Sequence, residues 1–357
     1  MTDLKDFWAG HYAGVAETLN KMSAVKTVAT AFNTNIDAVI KIKGERLVDF
    51  VRQSGMSWSE LNKIDRYSLE KPTDVIKGIF RCFSRGIAEE WLANRHVYDW
   101  MVDNIGYDRL QMGGQGGIVA NVLAVCGVEK VVNHCASLPE QQAKLFLNLD
   151  NLLAVDEKGT IRKANDIHRK DDTPLIHWII EFDKNDTFVF DGHEVVCPKS
   201  NRFIATYDPL NSHLVIDENF VSALNDDVPE AVVLSGYHAL TSEQNGAELV
   251  KMSLPIIERW QNKGVLVHLE VASTQDIAVR KVIVGEVASR ADSIGLNERE
   301  TIDVLQVIGE EALAEQCDKV CSAENILKAV LTIKQKVGSK RVQLHMFGLY
   351  LTLQDKD

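Results

Sequence analysis

The sequence predicts an α/β protein in which a large parallel-sheet domain flanked by helices carries a second, smaller, mainly β domain. Three apolar runs, AVVLSG (231–236), VLVHLEV (265–271) and ADSIGL (291–296), are separated by helix-length segments. Near-continuous apolar runs alternating with helices mark strands covered on both faces, as in a parallel sheet. A further group of fragments, TPLIHWIIEF (173–182), DTFVF (186–190) and NRFIATYD (201–208), follow one another without long helices between them. That pattern predicts hairpins and a separate, smaller sheet.

The composition narrows the functional classes. At 357 residues, with 45% hydrophobic and 25% charged residues, the chain has the make-up of a soluble protein of two domains. A net charge of −12 repels polyanions, so neither nucleic acid nor an anionic membrane is an expected partner. A small phosphorylated ligand is compatible with that field if local cations or a metal ion receive it. No apolar run approaches the roughly 18–20 residues that span a bilayer, and residues 1–14 lack the basic and apolar regions of a signal peptide, which places the expected location in the cytoplasm. Cys82, Cys126, Cys135, Cys197, Cys317 and Cys321 form no C-x-x-C pair, so neither a disulfide framework nor a zinc site is expected. Nothing in the sequence specifies an oligomer.

In chain order, Phe7, Trp8, Tyr12, Val15 and Leu19 recur at helical spacing and predict one amphipathic helix over 1–25. KTVATAFN (26–33) reads as a first central strand, ending in Asn33-Thr34-Asn35-Ile36-Asp37. Those short polar residues suit either a turn built from Asn and Asp or fixed contacts to sugar hydroxyls. Helices are predicted around 57–69, 73–84 and 87–103, which makes Glu89 and Glu90 a solvated face or the acidic first turn of the last of these. CGVEKVVNHCAS (126–137) predicts a second sheet strand, followed by a helix near 139–148. Arg169, Lys170 and Arg202 flank the later strand fragments. Helices over 242–262, 275–289 and 322–336 precede a final strand pair within 341–353.

Two stretches point to ligand chemistry. Met112-Gly113-Gly114-Gln115-Gly116-Gly117 leads into an apolar helix, setting bare backbone amides at a helix N-terminus where a ligand can approach closely. It is not a P-loop, which needs Gly-Lys-Ser/Thr, and its glycine spacing argues against a dinucleotide oxidoreductase. In parallel sheets ligands bind at the carboxyl ends of strands. Here those ends bear Gly236-Tyr237-His238, His268-Leu269-Glu270 and Asn297-Glu298-Arg299-Glu300. Glu270 and Glu300 are two hard carboxylates suited to a hydrated Mg²⁺, although Asn297 equally fits a plain helix cap.

Taken together, N-T-N-I-D-A-V, M-G-G-Q-G-G-I-x-A-N, S-G-Y-H, H-L-E and N-E-R-E resemble, in order and spacing, the archaeal ADP-dependent sugar kinases, the glucokinase and phosphofructokinase group of the ribokinase-like superfamily. The resemblance runs from Asn33 to about Leu353. It implies a ribokinase-like large domain (1–38, 108–158 and 212–357) and a lid (39–107 and 159–211) that binds the sugar. Asn35, Asp37, Gly114, Gln115 and Gly116 match the family's sugar contacts. Glu90 matches a lid carboxylate that favours glucose, and Lys170 and Arg202 resemble cations that hold a sugar phosphate. Glu270 and Glu300 match magnesium-organising carboxylates, with His268 and Asn297 on the nucleotide side. The implied reaction is phosphorylation of fructose 6-phosphate, glucose or both by ADP with Mg²⁺, leaving AMP. The family's closing Gly-x-Gly-Asp motif, whose Asp is the general base, does not occur in these residues. From this follows the expectation that the large domain lacks its C-terminal part and that residues 1–357 bind poorly and turn over negligibly. The alternative is a catalytically inactive sugar- or nucleotide-binding protein of the same fold.

Overall fold

The computed structural model describes residues 4–64, 67–272, 274 and 276–356. Its strands are β1 Thr27–Ala31, β2 Asn35–Lys41, β3 Ser68–Leu69, β4 Glu89–Ala93, β5 Arg109–Gly113, β6 Lys130–Asn133, β7 Leu152–Val155, β8 Ile161–Lys163, β9 Ile176–Phe182, β10 Thr187–Phe190, β11 His193–Val196, β12 Asn201–Tyr207, β13 Ala231–Leu234, β14 Leu266–Glu270, β15 Ser293–Leu296, β16 Arg341–Met346 and β17 Leu349–Gln354. They build two compact units, one of residues 1–34, 114–172 and 210–357, the other of 35–113 and 173–209.

The first unit holds a nine-stranded sheet in the order β17-β16-β15-β14-β13-β1-β6-β7-β8. All pairings are parallel except the two edges, β7–β8 and β16–β17. Strand β1 is buried at every residue, the environment its apolar text requires. Helices Gly246–Asn262, Glu298–Val307 and Ala323–Val337 supply Val250, Ile257, Trp260, Leu305, Ile326 and Ile333 to one core with Val232, Leu269, Ile294 and Val342. Burying a Leu- or Ile-sized side chain contributes about 1.5–3 kcal/mol each, so this core dominates the unit's stability.

The second unit is a mixed six-stranded sheet, β3-β4-β12-β9-β2-β5, with the hairpin β10–β11 beside it. Strand β9 alternates between fully and half-buried residues. Its Ile176, Trp178, Ile180 and Phe182, with Ile36, Ala38 and Ile40 of β2 and Phe203 and Ala205 of β12, form the buried face. Helix Pro72–Arg85 packs there at Gly78, where an added Cβ would lie 2.4 Å from the Phe203 ring.

Several expectations are corrected. The unit boundaries fall at 34/35, 113/114, 172/173 and 209/210 rather than at 38/39, 107/108, 158/159 and 211/212. Strand pairing decides this, since β2 joins β5 and β9 while β8 pairs with β7 of the large sheet. The N-terminal helix is two, Leu4–Ala13 and Val15–Met22, meeting at the poor helix former Gly14, and Phe7, Trp8, Tyr12, Val15 and Leu19 are exposed. Residues 1–3 lie outside the described residues, as do 65 and 66 of the helix expected over 57–69, of which Trp58–Leu61 is helical. The helix expected near 139–148 is the single turn Glu140–Ala143. The helix expected over 87–103 begins at Arg95, because Glu89–Ala93 pairs with β12 instead.

Candidate active site

In the second unit, strand register gathers polar residues on the sheet face opposite the core. Asp37 lies opposite His177 on β9 and Gln111 on β5; His177 lies opposite Thr206, and Glu90 opposite Ile204, on β12. Because side chains alternate with period two, Asn35, Asp37, Gln111, His177, Thr206 and Glu90 share one face. Asn35 is therefore a strand residue, and the turn reading of 33–37 does not hold past Thr34. The Asn35 Nδ2 donates to Asp37 Oδ1 at 3.1 Å, whereas its Oδ1 is buried with no hydrogen-bond partner among the described residues. Gly113 makes room for the pair, since a Cβ there would lie 2.2 Å from Asp37 Oδ1. Burial raises the Asp37 carboxyl above the usual carboxylate range, against the lowering influence of His177, Asn35 and Gln111.

Adjacent Glu89 and Glu90 have separate fates. Glu89 points to the helix side, held by Arg81 at 2.9 Å and by Trp91 Nε1 at 3.1 Å. Glu90 stands on the polar face, its Oε1 accepting from Thr206 Oγ1 at 2.6 Å. Four residues before Thr206 and on the same face of β12, Arg202 is exposed. Lys170, also exposed, belongs to the other unit, next to an Arg169 engaged by Asp172, Asp217 and the Cys135 carbonyl. Sequence reasoning missed Gln111, His177, Thr206 and Asp208. Their types gave no signal without the register that aligns strands far apart in the chain.

In the first unit, β1 is flanked by β6 on one side and β13 on the other, the switch point at which ligands enter such sheets. Gly114 has φ +75° and caps helix Gln115–Val125. The Gly116 amide donates to Asn33 O at 2.9 Å, and an added Cβ would lie 2.7 Å from that oxygen. Asn33 Oδ1 and Gln115 Oε1 are buried without hydrogen-bond partners among the described residues, which leaves polar valence for a ligand at this helix N-terminus.

Farther along the sheet, Glu270 closes β14 and Glu300 is the third residue of helix Glu298–Val307. Asn297 and Glu300 form a reciprocal capping box: Glu300 N donates to Asn297 Oδ1 at 2.9 Å and Asn297 N to Glu300 Oε2 at 2.8 Å. Burial, opposed by that amide and reinforced by the Glu270 charge, pushes the Glu300 carboxyl up to about 7. His268 donates from Nε2 to Glu270 Oε1 at 2.9 Å, with its Nδ1 2.8 Å from Ser293 Oγ. Gly295 leaves space for Glu270, since a Cβ would lie 2.4 Å from Oε1. The donor set, two hard oxygen ligands whose mutual repulsion a cation would relieve, fits Mg²⁺. Among the described residues no group of three or more His, Cys, Asp or Glu is arranged to hold a metal, so a cation here would depend on water or ligand oxygens as well.

The arrangement is that of a ribokinase-like α/β protein with a second β unit. A phosphofructokinase from Pyrococcus horikoshii, described as a hypothetical ADP-dependent enzyme, superimposes with a TM-score of 0.80 at 24% identity, over 94% of this chain and 77% of that one. The reconstructed last common ancestor of ADP-dependent phosphofructokinases from Methanosarcinales gives 0.79 at 25% identity, over 100% and 76%. The family profile "ADP-specific Phosphofructokinase/Glucokinase conserved region" matches residues 26–357, and the chain belongs to this family. The ADP-dependent glucose/glucosamine kinase of Pyrococcus furiosus is 31% identical over 98% of this chain and 77% of its own length. The ADP-specific phosphofructokinase of Methanosarcina acetivorans is 25% identical over 99% of this chain and 75% of its own.

Proposed function

We propose that the protein transfers a phosphoryl group from ADP to a hydroxyl of glucose, fructose 6-phosphate or both, releasing AMP. The observation that supports this most directly is the polar sheet face of the second unit, where Asn35, Asp37, Gln111, His177 and Glu90 converge on one side of a rigid sheet in a chain of this family. Paired amides and carboxylates of this kind match sugar hydroxyls, each both donor and acceptor. In this reading Asn35 and Asp37 orient the sugar, and Gly114, Gln115 and Gly116 offer amides at the helix N-terminus. Glu90 accepts from a hydroxyl of glucose, while Arg202, on the same face of the sheet, receives the phosphate of fructose 6-phosphate. Phosphoryl transfer depends on such positioning and on charge neutralisation more than on covalent chemistry. Glu270 and Glu300, supported by His268 and Asn297, would hold Mg²⁺, which supplies charge neutralisation at the nucleotide's phosphates. Six free cysteines suit a reducing cytoplasm, and among the described residues no helix is long and apolar enough to cross a membrane.

The test is AMP release from ADP and Mg²⁺ with each sugar. Sugar-dependent AMP is the result this reading requires, against the negligible turnover expected of residues 1–357 without the Gly-x-Gly-Asp base; sugar binding without AMP would select a catalytically inactive binding protein of the same fold. Glu90→Ala is expected to abolish glucose phosphorylation and spare fructose 6-phosphate, and equal loss of both would refute its role. Arg202→Ala is expected to raise the fructose 6-phosphate KM at least tenfold, about 1.4 kcal/mol; an unchanged KM would remove Arg202 from the site.

A further inference from the structure

Three carboxylates surround one imidazole on the polar face. His177 Nε2 lies 3.0 Å from Asp208 Oδ2, and because a carboxylate only accepts, the ring donates from Nε2. This orientation sends Nδ1 toward Glu90 Oε1, 4.0 Å away, the same oxygen that Thr206 Oγ1 holds at 2.6 Å. Asp37 faces the ring from β2. The charged groups acting on His177 are thus Asp208 beyond the end of β12, Glu90 on β4 and Asp37 on β2. With 12% of the His177 side chain and 3% of the Asp208 side chain exposed, water screens this pair weakly, while Glu90, 40% exposed, is screened more.

We propose that Asp208 is a positioning residue for sugar recognition: it fixes the His177 ring so that Nδ1 faces Glu90, and thereby couples sugar binding to a proton on that ring. Asp208 acts through His177, not on the sugar. With Nδ1 protonated, the ring donates toward both carboxylates and offsets the clustered negative charge. With Nδ1 neutral, a lone pair faces the Glu90 carboxylate, and Glu90 is pushed from the geometry that presents it to a hydroxyl. Burial alone would favour neutral imidazole, but the Asp208 hydrogen bond and the three negative charges outweigh it and raise its proton affinity above that of an ordinary histidine. Sugar binding is therefore retained below the His177 titration and lost as pH rises through it. A neutral sugar tests the coupling most cleanly, because glucose itself does not titrate there.

The coupling rests on the assignment of Glu90 to the sugar site, and the experiment separates the two. Histidine-labelled full-length protein is titrated by NMR, and glucose binding is measured calorimetrically across the same pH range, for the unsubstituted protein, Asp208→Asn and Glu90→Gln. The expected result is that the His177 midpoint and the midpoint for loss of glucose affinity coincide, and that both fall by about one pH unit or more in Asp208→Asn. A merely structural Asp208 would weaken binding equally at all pH values without moving either midpoint, which would overturn the proposal. Glu90→Gln, on the exposed side of the sheet, removes the charge opposite Nδ1 and should also lower the His177 midpoint even if Asp208→Asn fails to fold. An unmoved midpoint there overturns the coupling. Glucose affinity that is flat across the His177 titration overturns the coupling alone. No glucose binding at any pH, or full binding by Glu90→Gln with an unchanged profile, overturns the sugar-site assignment together with it.

Discussion

The carboxyl of Glu300 accepts the Asn297 amide while burial and the charge of Glu270 push its proton affinity up to about 7. A carboxyl whose affinity is raised in the fold binds its proton more tightly folded than unfolded. Stability contributed by that proton is thus full at acid pH and declines as pH rises from about 4.5 to about 7, by up to about 3 kcal/mol. Glu300→Gln keeps the capping box, because Gln serves the same position, and removes the titration. Urea unfolding between pH 5 and 8 is expected to show a flatter profile for the variant and greater stability than the unsubstituted protein at pH 8. Mg²⁺ is expected to raise the Tm of the unsubstituted protein at pH 8 and leave that of the variant unchanged; an equal rise in both would remove Glu300 from the metal site. At this scale the placement of Glu270 at a strand end and of Glu300 in the first turn of a helix was legible, because a motif framed each. Glu89 and Glu90 were not separable, since an acidic pair reads the same on a helix turn as on a strand whose faces see a core arginine and open solvent.

Helix Glu298–Val307 and helix Gln115–Val125 begin at the two places where ligand groups are expected, and each start depends on one residue. Asn297→Ala removes the acceptor of the Glu300 amide and is expected to cost about 1 kcal/mol, measured by denaturant unfolding. No measurable cost would mean that water replaces the cap. Gly116→Ala sets a Cβ 2.7 Å from the Asn33 carbonyl oxygen, so the helix N-terminus must shift. Sugar affinity is expected to fall at least tenfold by calorimetry, and unchanged affinity would take the glycine turn out of the site. Elements with a strong pattern were legible: β1, β13, β14 and β15 from their apolar runs, and helices Gly246–Asn262 and Ala323–Val337 as helix-length segments between and after them. Strand β4 was not, because EEWLA carries helix formers and its strand state comes from pairing with β12. The hairpin partner β11 was missed because HEVV is largely exposed and lacks a buried face to betray it.

Each unit has its own buried core, one around Trp260 and Ile257, the other around Trp178 and Phe203. Calorimetric unfolding is expected to show more than one transition, with a calorimetric enthalpy above the van't Hoff value; a single two-state endotherm would contradict independent cores. That the chain makes two sheets was legible from the change of strand spacing after residue 150. The crossing expected at 158/159 was misplaced, because β8 looks like the later strands in sequence and joins the large sheet only through its pairing with β7.

The order β3-β4-β12-β9-β2-β5 has a consequence for how the protein comes into being. Glu90 on β4 and Asp37 on β2 are not on adjacent strands; β12 and β9 stand between them. A ribosome delivers β2 to β5 by residue 113 but completes β12 only at residue 207, on the order of ten seconds later at ordinary elongation rates. During that interval two strand pairs wait with open edges, and the polar face has no centre. Strands β9 and β12 arrive as the keystone, so Asp37 and Glu90, made early, come onto one face only when the last strands of the unit are complete.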